Sequence, residues 1–186
     1  METNNPSGRK EDPTAEERKK DHIALAFEAQ VKTGDDRFYY EPLLQPHPGN
    51  DDQLQINFLG KKMNAPIWVS SMTGGTQWAR TINHNLASVC GEFGLGMGLG
   101  SCRILLYDDE HLEDFAVRKN IGEQPLYANL GIAQLETLIT EGRKDKITEL
   151  VKKLEADGLI IHVNPMQEWL QPEGDRFHRS AIETIK

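Results

Sequence analysis

Four short apolar runs recur along this chain of 186 residues. They occupy residues 66–69, 95–99, 126–130 and 159–163. Their spacing of roughly thirty residues is that of a βα unit, in which a helix follows each strand. Because each run is short and almost entirely apolar, the pattern predicts four strands buried in a parallel sheet.

Amphipathic helical patterns lie between these runs. One follows the first run and the other precedes the fourth; their apolar positions are Trp78, Ile82, Leu86 and Val89, and Ile147, Leu150, Val151 and Leu154. We expect Gly158 to close the second helix as its C-cap. Alternating strands and helices leave two architectures open, a doubly wound sheet and a (β/α)8 TIM barrel, and composition does not choose between them.

Composition excludes several classes of function. A formal net charge of −8 argues against nucleic acid as the main partner, because phosphate binding usually rests on a basic surface. The chain has only two cysteines, Cys90 and Cys102, so we predict no disulfide framework and a cytoplasmic location. There is no apolar run of transmembrane length and no signal peptide, so we expect no membrane partner.

The chain before the first strand is predicted to contain two segments. Residues 1–13 are polar and are expected to form a flexible arm. Residues 14–62 begin with a capping box, Thr14 and Glu17, which opens a helix predicted to end near Val31. A loop follows over residues 40–60, and it contains apolar alternation that predicts a short strand outside the main sheet, at Leu54, Ile56 and Phe58.

The third segment, residues 63–186, contains only the four predicted strands. It ends in an amphipathic helical pattern without a C-terminal signal, at Phe177, Ala181, Ile182 and Ile185. A (β/α)8 barrel usually needs about 250 residues. We therefore expect the chain to be the first half of a longer protein, and to be inactive alone.

Polar residues follow every predicted strand. They are Ser70, Ser71 and Thr73 after the first strand, Ser101 after the second, Asn129 at the end of the third, and His162 and Asn164 at the end of the fourth. The carboxyl ends of parallel strands share one edge, where barrel enzymes carry their active sites. For His162 a satisfied core histidine, and for Asn164 an ordinary turn, are the alternatives to a site. Glycines at alternate positions from Gly94 to Gly100 predict close packing rather than a dinucleotide fingerprint.

The strongest motif spans residues 162–175, His-Val-Asn-Pro-Met-Gln-Glu-Trp-Leu-Gln-Pro-Glu-Gly-Asp. It resembles the motif H-V-N-x-x-Q-E-x-x-x-P-E-G of type 2 isopentenyl diphosphate isomerase, a flavin-dependent family. Other motifs of that family recur in order at residues 18–23, 72–75, 100–106 and 128–131. The resemblance implies a TIM barrel, of which this chain holds the N-terminal helix and about the first four βα units.

The resemblance also implies roles for individual residues. The catalytic residues would be Gln167, as a proton relay, and His162. Residues that contact substrate would be Arg18, Lys19, His22, Arg103, Asn164 and Gln167. FMN would lie against Met72, Thr73, Ser101 and Asn129, and Glu168 would hold Mg2+. From the residues alone, Arg18 and Lys19 fit a solvated helix face, residues 72–75 fit a plain βα turn, and Arg103 fits a surface ion pair.

The implied activity is the interconversion of isopentenyl diphosphate and dimethylallyl diphosphate, using reduced FMN and Mg2+, with NADPH as the initial reductant. We expect a small isoprenoid diphosphate as the partner and a homo-oligomer for the full-length protein. Two alternatives remain at this stage. One is another FMN-dependent barrel oxidoreductase, which lacks the Gln-Glu pair and the N-terminal Arg-Lys-x-x-His; the other is an inactive fragment or scaffold.

Overall fold

A computed structural model describes Leu43 and residues 54–71, 77–170 and 175–186. Apart from Leu43, these residues belong to one compact unit, Asn50–Lys186. The predicted arm at 1–13, the helix opened by Thr14 and most of the loop at 40–60 lie outside the described residues. The proposed boundaries at residues 13 and 62 therefore stay predictions.

The described strands form two sheets. The first is an antiparallel hairpin of β1 (Ile56–Phe58) and β2 (Lys61–Met63). The second is parallel and consists of β3 (Trp68–Val69), β4 (Gly96–Gly98), β5 (Leu126–Gly131) and β6 (Gly158–His162). The separate short strand and the four parallel strands predicted from sequence are confirmed. Burial is confirmed for β4 and β5 but not for the outer strands β3 and β6, which are only partly buried.

The strands of the parallel sheet lie side by side in chain order, β3-β4-β5-β6. Helices connect them: α1 (Gln77–Phe93), α2 (Leu112–Phe115), α3 (Arg118–Ile121), α4 (Ile132–Thr140) and α5 (Asp145–Lys153). Two more follow β6, namely α6 (Pro165–Leu170) and α7 (Ala181–Ile185). The α/β class is thus established, and the parallel sheet is consistent with part of a TIM barrel.

One face of the sheet packs against these helices. Leu126, Ala128 and Leu130 alternate along β5 and are fully buried in the main apolar cluster. Leu150 and Leu154 join the same cluster from α5 and the turn that follows it. Side chains alternate between the faces of a strand, so Tyr127 and Asn129 must lie on the opposite face.

Helix α1 is present as predicted, but its buried face is rotated relative to the prediction. Val89 was predicted to lie on the buried face but is 43% exposed, whereas Ala87 and Cys90 are fully buried. Asn83 is also buried, and its amide donates to the Asp114 carbonyl at 2.9 Å. The error arose because the sequence pattern favoured large apolar residues. The helix instead packs closely through small residues, and it buries Asn83 with its side-chain amide hydrogen-bonded.

The prediction that Gly158 caps α5 is wrong, because Gly158 is the first residue of β6. Glu155 turns the chain instead, with φ of 49°. The N–H of Glu155 donates to the Lys152 carbonyl, and the N–H of Ala156 donates to the Val151 carbonyl. These two bonds are those of a Schellman motif, here built on a residue other than glycine.

Aromatic side chains from the hairpin and the sheet meet on the face away from the helices. Phe58 lies 4.9 Å from Trp68 and 6.0 Å from Tyr127, measured between ring centroids. A side chain at Gly96 would place its Cβ 2.7 Å from the Trp68 ring, and one at Gly158 would lie 2.8 Å from the Tyr127 ring. The close packing predicted for the alternate glycines is therefore confirmed at Gly96.

An ionic cluster ties the hairpin to the amino ends of β5 and β6. Asp157, just before β6, accepts the Leu126 N–H at 2.9 Å and pairs with Arg118 at 3.0 Å. Lys61 of the hairpin reaches its other oxygen at 2.8 Å. Burial acts to raise the pKa of Asp157, but Lys61, the Leu126 N–H and Arg118 together hold it below its ordinary value.

The last helix begins later than the predicted pattern, which started at Phe177, and it buries a different face. Ser180 caps α7, and it exchanges capping-box hydrogen bonds with Glu183. Thr184 is buried, whereas Ile182 and Ile185 are 66% and 53% exposed. The apolar pattern therefore does not identify the face that this short helix buries here. Among the described helices, none has the length and hydropathy needed to cross a membrane.

Candidate active site at the carboxyl ends of the strands

Asn129 and His162 lie on the same face of the sheet, near the carboxyl ends of neighbouring strands. Asn129 pairs in register with Ile160, and Gly131 pairs with His162. Directly paired residues share a face, and alternation along β5 puts Asn129 on that face as well. Asn129 is 6% exposed, whereas His162 is exposed. The predicted alternative of a buried core histidine is therefore wrong for His162.

Asn164 lies beyond the regular strand. β6 ends at His162, and the Asn164 carbonyl accepts the N–H of Glu168 at 3.2 Å. Pro165 is then the first residue of α6, a position that suits its fixed φ and missing N–H. We expected an extended segment to put Asn164 on the same face as His162, but strand alternation does not reach Asn164. The segment places Asn164 at the entry to the helix that carries Glu168.

Ser101 and Arg103 follow β4 at the same edge of the sheet. The Cys102 N–H donates to the Asn129 carbonyl at 2.8 Å, which fixes this exit against β5. Ser101 is exposed, and its hydroxyl oxygen lies 3.5 Å from the Arg103 N–H that it accepts. Arg103 then begins a 3₁₀ helix that ends at Leu106.

The Arg103 guanidinium pairs with Asp175, the last residue of the 162–175 motif. Its Nη1 lies 2.8 Å from Asp175 Oδ2. The same carboxylate oxygen accepts the side-chain amide of Gln134, on α4, at 2.7 Å. Both ionic side chains keep some contact with solvent, at 46% and 37% exposed. The ion-pair alternative for Arg103 is thus what the structure shows, and its contact with substrate stays a prediction.

Glu168 belongs to the same network through the backbone of Asp175. The Asp175 N–H donates to Glu168 Oε2 at 2.9 Å. Arg103, Asp175 and Glu168 are therefore joined in one continuous chain of contacts, with a cation at one end and a carboxylate at the other. An open cleft of about 410 Å³ adjoins Glu168 and is also lined by Trp169, Arg176 and Phe177.

A second carboxylate of α4 holds the segment after Asp175. Glu136 is 8% exposed, and both its oxygens lie 3.0 Å from the His178 N–H. The Arg179 N–H donates to Glu136 Oε2 at 3.2 Å. The pKa of Glu136 is lowered, mainly because the His178 N–H stabilises the charged form. Helix α4 thus anchors the segment at two points, through Gln134 and Glu136.

The structure brings some of the predicted site residues together, and other predicted site residues lie outside the described part of the chain. Ser101, Arg103, Asn129, His162, Asn164 and Glu168 all lie at or just beyond the carboxyl ends of β4, β5 and β6. The predicted site residues outside the described part of the chain are Arg18, Lys19, His22, Met72 and Thr73. The backbone of Gln167 lies in α6, but its side chain also falls outside what is described.

Sequence reasoning missed the residues that hold this edge together. Asp175 is the last residue of the 162–175 motif but received no role from the sequence. Its place in that motif could have marked it as a residue of the site. Gln134 and Glu136 offered no such signal, because polar residues near the start of an amphipathic helix are commonplace. Within the described ranges, no three His, Cys, Asp or Glu side chains converge in a way that could hold a metal ion.

The chain is similar to several curated proteins. It is 37% identical over 97% of its length to "Isopentenyl-diphosphate delta-isomerase" of Nostoc sp., covering 53% of that protein. It is 41% identical over 91% of its length to the protein of that name from Rickettsia rickettsii, covering 50% of it. The corresponding Pelodictyon phaeoclathratiforme protein is 39% identical over 91% of the chain, with 48% covered.

No protein-family model matches the chain. The chain spans about half the length of the curated relatives it matches. In the comparison with the Nostoc sp. protein the similarity extends over 97% of the chain, so it includes the strand ends and the 162–175 motif. The sequence is thus similar, over nearly all of its length, to proteins named isopentenyl-diphosphate delta-isomerase.

Proposed function

We propose that the protein interconverts isopentenyl diphosphate and dimethylallyl diphosphate, with reduced FMN and Mg2+, on a TIM barrel of which this chain forms the first half. The names of the relatives support the isomerase activity. The motif resemblance described above supports the flavin-dependent type. We further propose a cytoplasmic homo-oligomer that acts on a small diphosphate substrate.

The observation that carries this proposal is the connection of Arg103 to Glu168 through Asp175. A diphosphate bound with Mg2+ requires cationic donors for its oxygens and a hard carboxylate for the metal. The structure holds one group of each kind in a single network. Because the chain carries a net charge of −8, such a local cation is needed for an anionic substrate.

The residues present fit a Mg2+ ion held largely by its substrate. Mg2+ is usually bound by one or two carboxylates together with phosphate oxygens and water, rather than by a complete protein cage. Glu168 offers one such carboxylate, and the Asp175 N–H occupies its Oε2. Glu168 Oε1 would then be the atom that contacts the metal.

We place the cofactor of this proposal at the same edge of the sheet. Asn129 is almost enclosed there, and Ser101 is exposed where the chain leaves β4. Ser101 and Asn129, together with Met72 and Thr73, would hold the ring system of FMN. When bound and reduced, FMN would supply the proton donor and acceptor that this reaction needs.

The remaining groups would place the substrate and move protons. An amide such as that of Gln167 is not an acid at neutral pH, so we assign it to positioning or relaying a proton opposite the flavin. His162, exposed on the same face as Asn129, would donate to the substrate. Asn164, Arg103 and the N-terminal residues Arg18, Lys19 and His22 would bind the diphosphate, and NADPH would reduce the flavin initially.

The test is isomerisation by the full-length protein with pre-reduced FMN, followed by product analysis. Gln167→Leu should lower kcat by about a hundredfold or more, with a smaller change in KM, because a transition-state contact is removed. Glu168→Gln should raise the Mg2+ requirement, while Glu141→Gln, an exposed carboxylate paired with Arg143 at 2.9 Å, should behave as the parent. Oxidation of a substrate without isomerisation would contradict the proposal.

A further inference from the structure

Asp175 is fixed by side chains from two different elements. Arg103, after β4, approaches its Oδ2 at 2.8 Å, and Gln134 of α4 donates to the same oxygen at 2.7 Å. Both contacts restrain the side chain, so they also restrain the backbone from which it projects. The direction of the Asp175 N–H is therefore determined by contacts that Glu168 itself does not make.

That N–H is the described donor to the Glu168 carboxylate. It lies 2.9 Å from Oε2, within the range of a charge-assisted hydrogen bond. A donor fixed on one oxygen limits rotation of the carboxyl group about its terminal torsion, which is otherwise broad. The second oxygen then points in a defined direction, which matters for a metal that demands near-ideal octahedral geometry.

We propose that Asp175 is a positioning residue, whose anchored side chain holds its N–H against Glu168 and so orients that carboxylate for a divalent cation. This inference rests on the proposed function, in which Glu168 contacts Mg2+. Asp175 itself does not contact the cation. Outer partners that orient a metal-binding group typically contribute 10- to 100-fold to metal affinity or activity, on the order expected here.

The chain offers a control for simple loosening of this segment. Glu136 holds the same segment three residues further on, through the His178 and Arg179 N–H groups. It makes no described contact with Glu168. Glu136→Gln therefore weakens the anchoring of the segment while leaving the Asp175 contacts intact. A purely structural role for Asp175 predicts that Glu136→Gln and Asp175→Ala act alike on metal binding.

The experiment measures Mn2+ binding to the full-length protein with oxidised FMN and isopentenyl diphosphate present. Water-proton relaxation reports the Mn2+ that is bound to protein, independently of turnover. Asp175→Ala should weaken Mn2+ binding by about tenfold or more. Asp175→Asn retains the Gln134 contact and loses only a half-exposed ion pair, so a roughly two- to fivefold loss is expected. Glu136→Gln should bind Mn2+ as the parent does.

Thermal unfolding establishes that each variant is folded, and Glu168→Gln provides the reference. If Glu168→Gln weakens Mn2+ binding but both Asp175 variants bind as tightly as the parent, the positioning role is overturned and the proposed function stands. The role is also overturned if Glu136→Gln weakens binding as much as Asp175→Ala. If Glu168→Gln has no effect, the metal site in the proposed function and this inference both fail. Should Asp175→Ala not fold, the Asp175→Asn result alone decides.

Discussion

Replacing Asp157 with alanine should destabilise the folded protein by about 3–5 kcal/mol. The change leaves the buried Leu126 N–H without its acceptor at 2.9 Å, which costs about 1–3 kcal/mol. It also removes two ion pairs, to Lys61 at 2.8 Å and Arg118 at 3.0 Å. Their side chains are only 17–28% exposed, so each pair should contribute near the upper end of the surface range, about 1 kcal/mol.

Urea unfolding at pH 7, monitored by circular dichroism, measures this loss. Glu141→Gln is the matched control, because it breaks an ion pair of similar length, 2.9 Å, whose side chains are 43% and 47% exposed. We expect that control to change stability by less than about 1 kcal/mol. A loss for Asp157→Ala no larger than that of Glu141→Gln would refute the reasoning, since burial and the Leu126 N–H would then contribute nothing.

The same cluster predicts a dependence on pH. Burial alone would raise the Asp157 pKa, but Lys61, the Leu126 N–H and Arg118 lower it below the ordinary value of 3.8. A depressed pKa in the folded state contributes stability that is present above 3.8 and is lost as pH falls through the folded-state pKa. The stability difference between the parent and Asp157→Asn should therefore be full at pH 7 and shrink below 3.8. A constant difference down to strongly acidic pH would contradict this assignment.

Three further outcomes follow from the packing. Gly96→Ala should destabilise by about 1–3 kcal/mol in urea unfolding, because its Cβ would lie 2.7 Å from the rigid Trp68 ring; unchanged stability would show that the ring moves freely. Burial raises the Cys102 pKa to about 12, so a thiol reagent at pH 8 should modify it only after unfolding, and rapid labelling of the native protein would be inconsistent with its burial. Ala87→Ser should destabilise more than Val89→Ser, and the reverse order would restore the predicted orientation of α1.

The parallel strands were predictable from local sequence because their signal is strong and repeated. Short apolar runs that recur at the spacing of βα units indicate the strands of a parallel sheet. The polar residues that end these runs were predictable as a group for the same reason, since parallel strands bring their carboxyl ends to one edge. Asn129 and His162 lie on a common face, as that reasoning requires.

The orientation of helices was harder to predict, because it depends on the surfaces against which they pack. Helix α1 buries Ala87 and Cys90 in preference to Val89, since small side chains allow closer approach to its neighbours. Helix α5 ends in a Schellman motif at Glu155. The sequence does not reveal this motif, because glycine, its usual signal, is absent from that position. Intrinsic preferences differ by only a few tenths of a kcal/mol to about 1 kcal/mol, so tertiary packing readily overrides them.

The contacts that orient the candidate site were decided by tertiary structure alone. Sequence determined that Arg103 follows one strand and that Glu168 and Asp175 follow another. It did not determine that Gln134 would hold Asp175, since the two residues are 41 positions apart. Such contacts depend on the register of β5 against β6 and on the direction in which α4 leaves the sheet. Local sequence specifies which chemical groups reach the edge, whereas the packing of the whole sheet decides which of them touch.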